Sequence, residues 1–193
     1  RRKSKLAVLF IDVDRFKQVN DSVGHSVGDL LLQAVGQRLL GCVRSSDTVG
    51  RLGGDEFVVV LSEISHSEDA AISANKLLAA LSLPYNIDAH EVHITASIGI
   101  ATYPDDALDG DTLLKHADVA MYHAKDSGRN QHHFYEKSRN RLAGERLALE
   151  GGLRRAIAQN EFLLHYQPKV DLRTGNITGV ESLIRWRHPD HGI

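Results

Sequence analysis

The chain has 193 residues, 42% hydrophobic and 25% charged, a globular composition with the length of one domain or of one domain plus a piece of another. Lys and Arg number 23 against 25 Asp and Glu, so the net charge of −2 excludes a global basic field for nucleic acid. The lone cysteine, Cys42, excludes a disulfide framework and reads as a small core residue, and no apolar stretch approaches the ~20 residues needed to span a bilayer. These features predict a cytoplasmic segment, free-standing or the cytoplasmic part of a membrane-anchored protein, with no membrane contact of its own. The start at Arg1 and the turn-like end from Pro189 to Gly192 read as a piece of a longer protein.

Lys5 to Val13 (KLAVLFIDV) is an apolar, β-branched run of strand length, predicted as a central buried strand with Asp12 and Asp14 at its C-terminal end. Arg15 to Asn20 reads as a short helix or turn. Ser26 to Val43 carries apolar residues at helical spacing. Thr48 to Arg51 and Glu56 to Leu61 read as strands joined by the hairpin turn Gly53-Gly54-Asp55. A second long helix is predicted from His66 to Leu83, stopped by Pro84. His90 to Tyr103 alternates and reads as one strand, with Ile87 to Glu91 as the turn leading into it. Asp109 or Asp111 caps a third helix that runs to about Ser127 with Gly128 as its C-cap, and Asn130 to Tyr135 reads as a last short strand.

The order β-α-β-β-α-β-α-β predicts an α/β (α+β) fold. Its core is ferredoxin-like with additions, a central, mainly antiparallel sheet flanked by helices. After residue 136 the character shifts. Residues 137–160 read as a charged amphipathic linker helix with the stripe Leu142, Leu147, Leu149, Leu153 and Ile157. Residues 161–170 and 176–186 read as two strands around the turn Leu172 to Gly175, too little to close a second domain.

Asp12 ends a buried strand and Asp55 stands at a glycine turn with Glu56. If the hairpin pairs with the first strand, the two aspartates converge, and hard oxygen ligands facing each other suit Mg²⁺ completed by substrate phosphates. Taken singly, each also reads as a turn cap. Lys17, a helical turn on, is a cation for a transferring phosphate or a solvated helix charge. Asn20, His25 and Asp29 bracket a turn at Gly24. An Asn amide and an Asp carboxylate match the edge of guanine, whose N1–H and N2–H donors adenine lacks, and Asn20-Asp21 also reads as a helix cap.

These residues form a recognisable series. Asp12 to Lys17 followed by Asn20-Asp21 resembles the DxDxFKxxND segment of GGDEF domains. Gly24-His25 to Gly28-Asp29 resembles GHxxGD, and Arg51 to Phe57 (RLGGDEF) is the signature intact. Ser97 to Ala101 resembles the SIGIA strand, and Ala117 to Asn130 resembles ADxAMYxAKxxGRN. The resemblance implies a nucleotidyl-cyclase palm core that condenses two GTP into cyclic di-GMP. Asp12 and Asp55 would bind Mg²⁺ or Mn²⁺ by carboxylate and Val13 by its carbonyl. Asp55 would also take the ribose 3′-hydroxyl proton, with Lys17 stabilising the transition state and Glu56 beside the metal. Asn20, His25 and Asp29 would contact the nucleotide, and Lys125 and Arg129 the triphosphate. A homodimer, each half holding one GTP, is implied. Arg44 and Asp47 form the RxxD spacing of a product-inhibition site for cyclic di-GMP; they also read as a helix-end arginine and a turn aspartate.

The tail resembles the opening of an EAL phosphodiesterase barrel, through Tyr166 to Val170 and Gly179 to Trp186. The triplet reads Glu181-Ser182-Leu183, with Gln167 and Arg185 among the matching positions. No phosphodiesterase activity is expected from this fragment. The expected organisation is a GGDEF domain over 1–136, a linker helix over 137–160 and an EAL opening over 161–193. The DxLTGLxNR helix that usually begins a GGDEF domain is missing. The intact signature permits an active cyclase or a catalytically silent GTP-binding module that regulates a phosphodiesterase. A vestigial binding module and an unrelated palm polymerase fit the retained residues less well.

Overall fold

A computed structural model describes residues 5–136, 153, 156, 157 and 159–187. The predicted linker helix lies almost wholly outside the described residues. The chain divides into two compact units, 1–140 and 141–193.

The first unit is built on strand β1 (Lys5–Val13), whose last seven residues are all buried. Its side chains alternate between two cores, as a strand's period of two requires. Ala7, Leu9, Ile11 and Val13 point into one core. Val8 and Phe10 point into the other. Each fully buried Leu or Ile contributes roughly 1.5–3 kcal/mol. The first core is closed by α2 (His25–Cys42) and α3 (Ser67–Leu81), through Leu31, Val35, Leu39, Ala74 and Leu77. The second is closed by α4 (Gly110–Asp126), through Leu113, Ala117, Ala120 and Met121. Between β1 and α2 lies α1 (Phe16–Val23), and Gly24, at φ 89°, turns the chain from α1 into α2.

The sheet has five strands in the order β2-β3-β1-β6-β7. Strand β2 (Thr48–Gly53) and β3 (Glu56–Ile64) form the predicted hairpin, and β3 pairs antiparallel with β1. On the other side β1 pairs antiparallel with β6 (Ala96–Tyr103), which pairs in parallel with β7 (Gln131–Phe134). The sheet is therefore mainly antiparallel with helices on both faces, as expected.

The single strand read from His90 to Tyr103 is two. Strand β5 (His90–Val92) pairs with β4 (Tyr85–Ile87), to which the sequence reading assigns no strand, in a separate two-stranded sheet whose turn, Asp88 and Ala89, lies within the predicted turn Ile87 to Glu91. The break at 93–95 has a local cause. Thr95 turns towards β1, where its carbonyl accepts from the Asp14 amide (2.9 Å) and its hydroxyl donates to the Asp14 carboxylate (2.6 Å). Alternation continued across the break because Val92 and Ile94 both reach the core. Arg38 ties these parts together, lying 3.5 Å over the Tyr85 ring and donating to the carbonyls of Ala80, Leu83 and Pro84. Helix α1 runs three residues beyond its predicted end. Asp109 rather than Asp111 caps α4, accepting from the Thr112 amide at 2.9 Å. Cys42 is half-buried at the margin of the first core.

In the second unit, β8 (Phe162–Val170) and β9 (Ile177–Trp186) form an antiparallel hairpin around Gly175 at φ 71°. Among the described residues no helix is long and apolar enough to cross a membrane.

Candidate active site

Strand alternation sets the first functional side chain. Asp12 follows Val8 and Phe10 on the α4 side of β1 and is 5% exposed. Across the sheet it faces Glu56. The amide of the next residue, Val13, donates to the Asp55 carbonyl at 3.2 Å, which draws the tip of the β2–β3 hairpin against the end of β1. Arg51 locks that tip, donating from Nε (2.9 Å) and Nη2 (2.7 Å) to the Gly54 carbonyl. The hairpin does neighbour the first strand, so Asp12, Val13, Asp55 and Glu56 come together.

From α4, one residue beyond its apolar stripe, Lys125 places Nζ 2.6 Å from Asp12 Oδ2. Burial pushes the Asp12 carboxyl up from 3.8 to about 6. The Lys125 hydrogen bond and charge oppose that rise, and the charges of Asp55 and Asp14 add to it. The raised value has a defined sign. Above pH 6 the folded protein carries a buried charge that the unfolded chain carries at less cost. Between pH 6 and 4 the folded form takes up the proton first, and that cost disappears. The difference from 3.8 sets an upper bound of about 3 kcal/mol, reduced by solvent screening and by the Lys125 pairing that the uncharged form gives up. Asp12→Asn is therefore expected to raise the melting temperature of the metal-free protein at pH 7.5 by several degrees. Melts at pH 7.5 and pH 4.5 check this, since the gain should fall to about a third at the lower pH and vanish only below 3.8.

The residues present fit a divalent ion. The Lys125 ammonium already stands as a cation against Asp12, and the Asp55 carboxylate is near enough for its charge to act on Asp12. Among the described residues no group of three or more His, Cys, Asp or Glu could hold a metal by itself. Two carboxylates completed by substrate phosphates and water is the arrangement Mg²⁺ favours.

Lys17 is exposed in the first turn of α1, and Asn20 lies one turn on, facing α2. Asn20 Oδ1 is buried without a hydrogen-bond partner. It rests on Gly28: a Cβ there would overlap Asn20 Oδ1 and come within 3.2 Å of Phe16 Cζ. His25 and Asp29 are exposed one helical turn apart at the start of α2. Arg129, just beyond α4, has Nε 3.9 Å from Asp14 Oδ1.

Arg44 and Asp47 lie elsewhere, in the loop after α2. Both carboxylate oxygens of Asp47 accept backbone N–H groups, from Arg44 (3.0 Å) and Ser62 (3.1 Å), so the turn role weighed from the sequence is fulfilled. Exposed Arg44 borders a depression of about 350 Å³ with Ser62, Ser65, Asp69 and Ser73. In the hairpin of the second unit, Gln167 pairs with Glu181, and Leu183 and Arg185 follow on β9.

Sequence reasoning missed Asp14, Arg51 and Gly28 as shapers of the site. In the sequence Asp14 reads as a second strand-end carboxylate and as the second acidic position of the DxDxFKxxND match, with no role of its own. The signal that could have found it is the pair of hydroxyl residues, Thr95 and Ser97, at the entry to the apolar run Ile98 to Ala101.

Residues 1–131 match the family described as diguanylate cyclase, GGDEF domain, and residues 150–193 match the EAL domain. Over all 193 residues the chain is 51% identical to the bifunctional diguanylate cyclase/cyclic di-GMP phosphodiesterase MucR of Pseudomonas aeruginosa, covering 28% of that protein. It is 38% identical over 192 residues, 100% of the chain, to the cyclic di-GMP phosphodiesterase NbdA of the same organism, covering 24% of it. The chain thus spans less than a third of the length of these relatives. Among solved structures, the GGDEF domain of YfiN (TpbB) from Pseudomonas aeruginosa matches with a TM-score of 0.68 at 43% identity, over 70% of this chain and 84% of that one. With matching motifs, sheet order and family profile, the chain belongs to the GGDEF diguanylate cyclase domain family and carries the opening of an EAL domain after it.

Proposed function

We propose that residues 1–136 act as a diguanylate cyclase domain that joins two GTP into cyclic di-GMP and two pyrophosphates, within a longer GGDEF-EAL signalling protein. The observation that carries this reading is the closure of the Asp55 hairpin on Asp12, with a lysine ammonium against the buried carboxylate. Asp12, Asp55 and the Val13 carbonyl would hold Mg²⁺ or Mn²⁺. A bound ion would lower the pKa of the ribose 3′-hydroxyl and offset the charge that develops on phosphate. Asp55 accepts the 3′-hydroxyl proton of one GTP. That oxygen bonds to the α-phosphorus of the other, the α–β bridging bond breaks, and pyrophosphate leaves with the electron pair. Lys17 faces the developing phosphate charge with Glu56 nearby. Lys125, released from Asp12, turns with Arg129 to the triphosphate. Each domain holds one GTP, so two must meet face to face. This reading implies a cytoplasmic segment, where GTP is present.

The orphaned Asn20 Oδ1 supports guanine recognition, because a guanine N–H supplies the donor it lacks, with Asp29 and His25 completing the contacts. Gly28→Ala is expected to push Asn20 aside and weaken GTP binding about 10- to 100-fold, which calorimetry on the purified protein would measure. Arg44, presented by the Asp47-capped turn, would take a phosphate or guanine edge of cyclic di-GMP in the separate depression.

A second reading is favoured by the relative named as a phosphodiesterase and by the EAL match: the domain binds GTP without turnover and regulates the phosphodiesterase that follows. The full-length protein incubated with GTP and Mg²⁺ or Mn²⁺, beside Asp55→Ala, separates the two by chromatography. Cyclic di-GMP from the wild type alone supports the cyclase. GTP binding without product, with GTP-stimulated breakdown of cyclic di-GMP, supports the regulator.

A further inference from the structure

Asp14 is two residues from Asp12, just beyond the end of β1, and its side chain is 1% exposed. It gathers donors from two segments far from it in sequence. Thr95 Oγ1 donates at 2.6 Å from just before β6, and Ser97 Oγ at 2.7 Å from its second residue. The Asn130 amide donates at 3.2 Å from the turn after α4, and Arg129 stands 3.9 Å away beside it. That turn is unusual: Gly128, Arg129 and Asn130 all have positive φ, at 122°, 65° and 49°. A left-handed arginine is sterically disfavoured and persists only where its surroundings hold it. The Arg129 amide on the Ala124 carbonyl (3.0 Å) closes the turn onto α4, the Ser82 hydroxyl donates to Asn130 Oδ1 (3.2 Å), and the Asp14 carboxylate ties the turn to the end of β1, accepting from the Asn130 amide and facing the Arg129 guanidinium along one wall of a cleft of about 760 Å³.

We infer that Asp14 is a positioning residue for nucleotide binding: it fastens the Arg129–Asn130 turn to the end of β1 and so aims the Arg129 guanidinium at the triphosphate. The inference rests on the reading that Arg129 contacts the triphosphate. It gives Asp14 no metal and no proton to transfer, so the two acidic residues of the Asp12-Val13-Asp14 segment have separate tasks. An asparagine at position 14 keeps the shape, but its amide nitrogen cannot accept, so it cannot serve both the Ser97 hydroxyl on one side and the Thr95 hydroxyl and Asn130 N–H on the other, and it removes the counter-charge of Arg129.

The test is a double-mutant cycle in the full-length protein, reading the affinity for 3′-deoxy-GTP, which binds but has no 3′-hydroxyl to react. Asp14→Asn and Arg129→Ala are each expected to weaken binding about 10-fold, and the double variant to bind no more weakly than Arg129→Ala alone, within about twofold. A general structural role would instead multiply the two losses, and that result overturns the inference, as does wild-type affinity in Asp14→Asn. Unchanged affinity in Arg129→Ala sinks the triphosphate contact itself and the inference with it. If Asp14→Asn does not fold, Ser97→Ala serves. It retains the carboxylate and removes one donor, and is expected to cost about two- to fivefold, again absent in the Arg129→Ala background. Wild-type affinity in Ser97→Ala, or the same loss in both backgrounds, contradicts the inference.

Discussion

Asp55→Asn is expected to lower cyclic di-GMP formation by the full-length protein about 10³-fold while leaving the melting temperature within about 2 °C of the wild type. The two halves of this expectation have separate causes. The backbone at the hairpin tip is held by the Val13 amide on the Asp55 carbonyl and by Arg51 on the Gly54 carbonyl, and neither contact uses the Asp55 side chain. The side chain is half-buried and its substitution opens no cavity in either core. In the proposed mechanism its charge serves as ion ligand and as acceptor for the 3′-hydroxyl proton, and removal of a proton acceptor alone commonly costs 10²–10⁴-fold. Steady-state pyrophosphate release with thermal melts on the same preparations measures both halves. Retained turnover in Asp55→Asn would remove the residue from the chemistry.

Gly99→Ala is expected to be the most damaging single methyl in the domain, at about 3 kcal/mol or more of stability. Gly99 sits opposite Phe10 in the middle of β6, with the backbone of α4 lying directly on it. A Cβ would overlap the Ala117 carbonyl oxygen and the Met121 amide nitrogen and come within 2.8 Å of the Ala120 carbonyl carbon. Backbone cannot swing to another rotamer, so α4 would have to lift from the sheet. That opens the core of Val8, Phe10, Ala101, Leu113 and Met121, and it carries Lys125 away from Asp12. Urea unfolding should show the loss as a lower midpoint with an unchanged slope. Gly50→Ala is the control: its Cβ would meet Val58 Cγ1 at 3.4 Å, an ordinary contact, and stability should stay within about 0.5 kcal/mol.

Much of this arrangement was legible because it rests on short-range periodicity. An apolar nine-residue run identified β1, and Asp12 at its end is presented to α4 by the period-two alternation that buries Val8 and Phe10. The glycine pair identified the hairpin turn, and strand adjacency then joined Asp55 to Asp12. What escaped depends on contacts between distant segments. Asp14 finds Thr95, Ser97 and Asn130 at separations of 81, 83 and 116 residues, which no local pattern encodes. The same contacts break the strand predicted from His90 to Tyr103, because a hydroxyl directed to a buried carboxylate overrides alternation that would otherwise continue. The role of Gly28 is likewise tertiary: it lies in a helix of ordinary periodicity, and only the side chain of Asn20 packed across it shows why a larger residue does not fit. Asp47 could be read either as a ligand residue or as a turn residue. Its two backbone hydrogen bonds realise the turn and leave Arg44 as the group free to meet a ligand.

The central claim is that Asp12 and Asp55 jointly hold one divalent ion against bound nucleotide. Electron paramagnetic resonance titration of Mn²⁺ into the full-length protein with saturating 3′-deoxy-GTP reads that ion directly and requires no turnover. A tight nucleotide-dependent Mn²⁺ site is expected in the wild type, weakened at least about tenfold by Asp12→Asn and by Asp55→Asn alike. Wild-type Mn²⁺ affinity in both variants would contradict it.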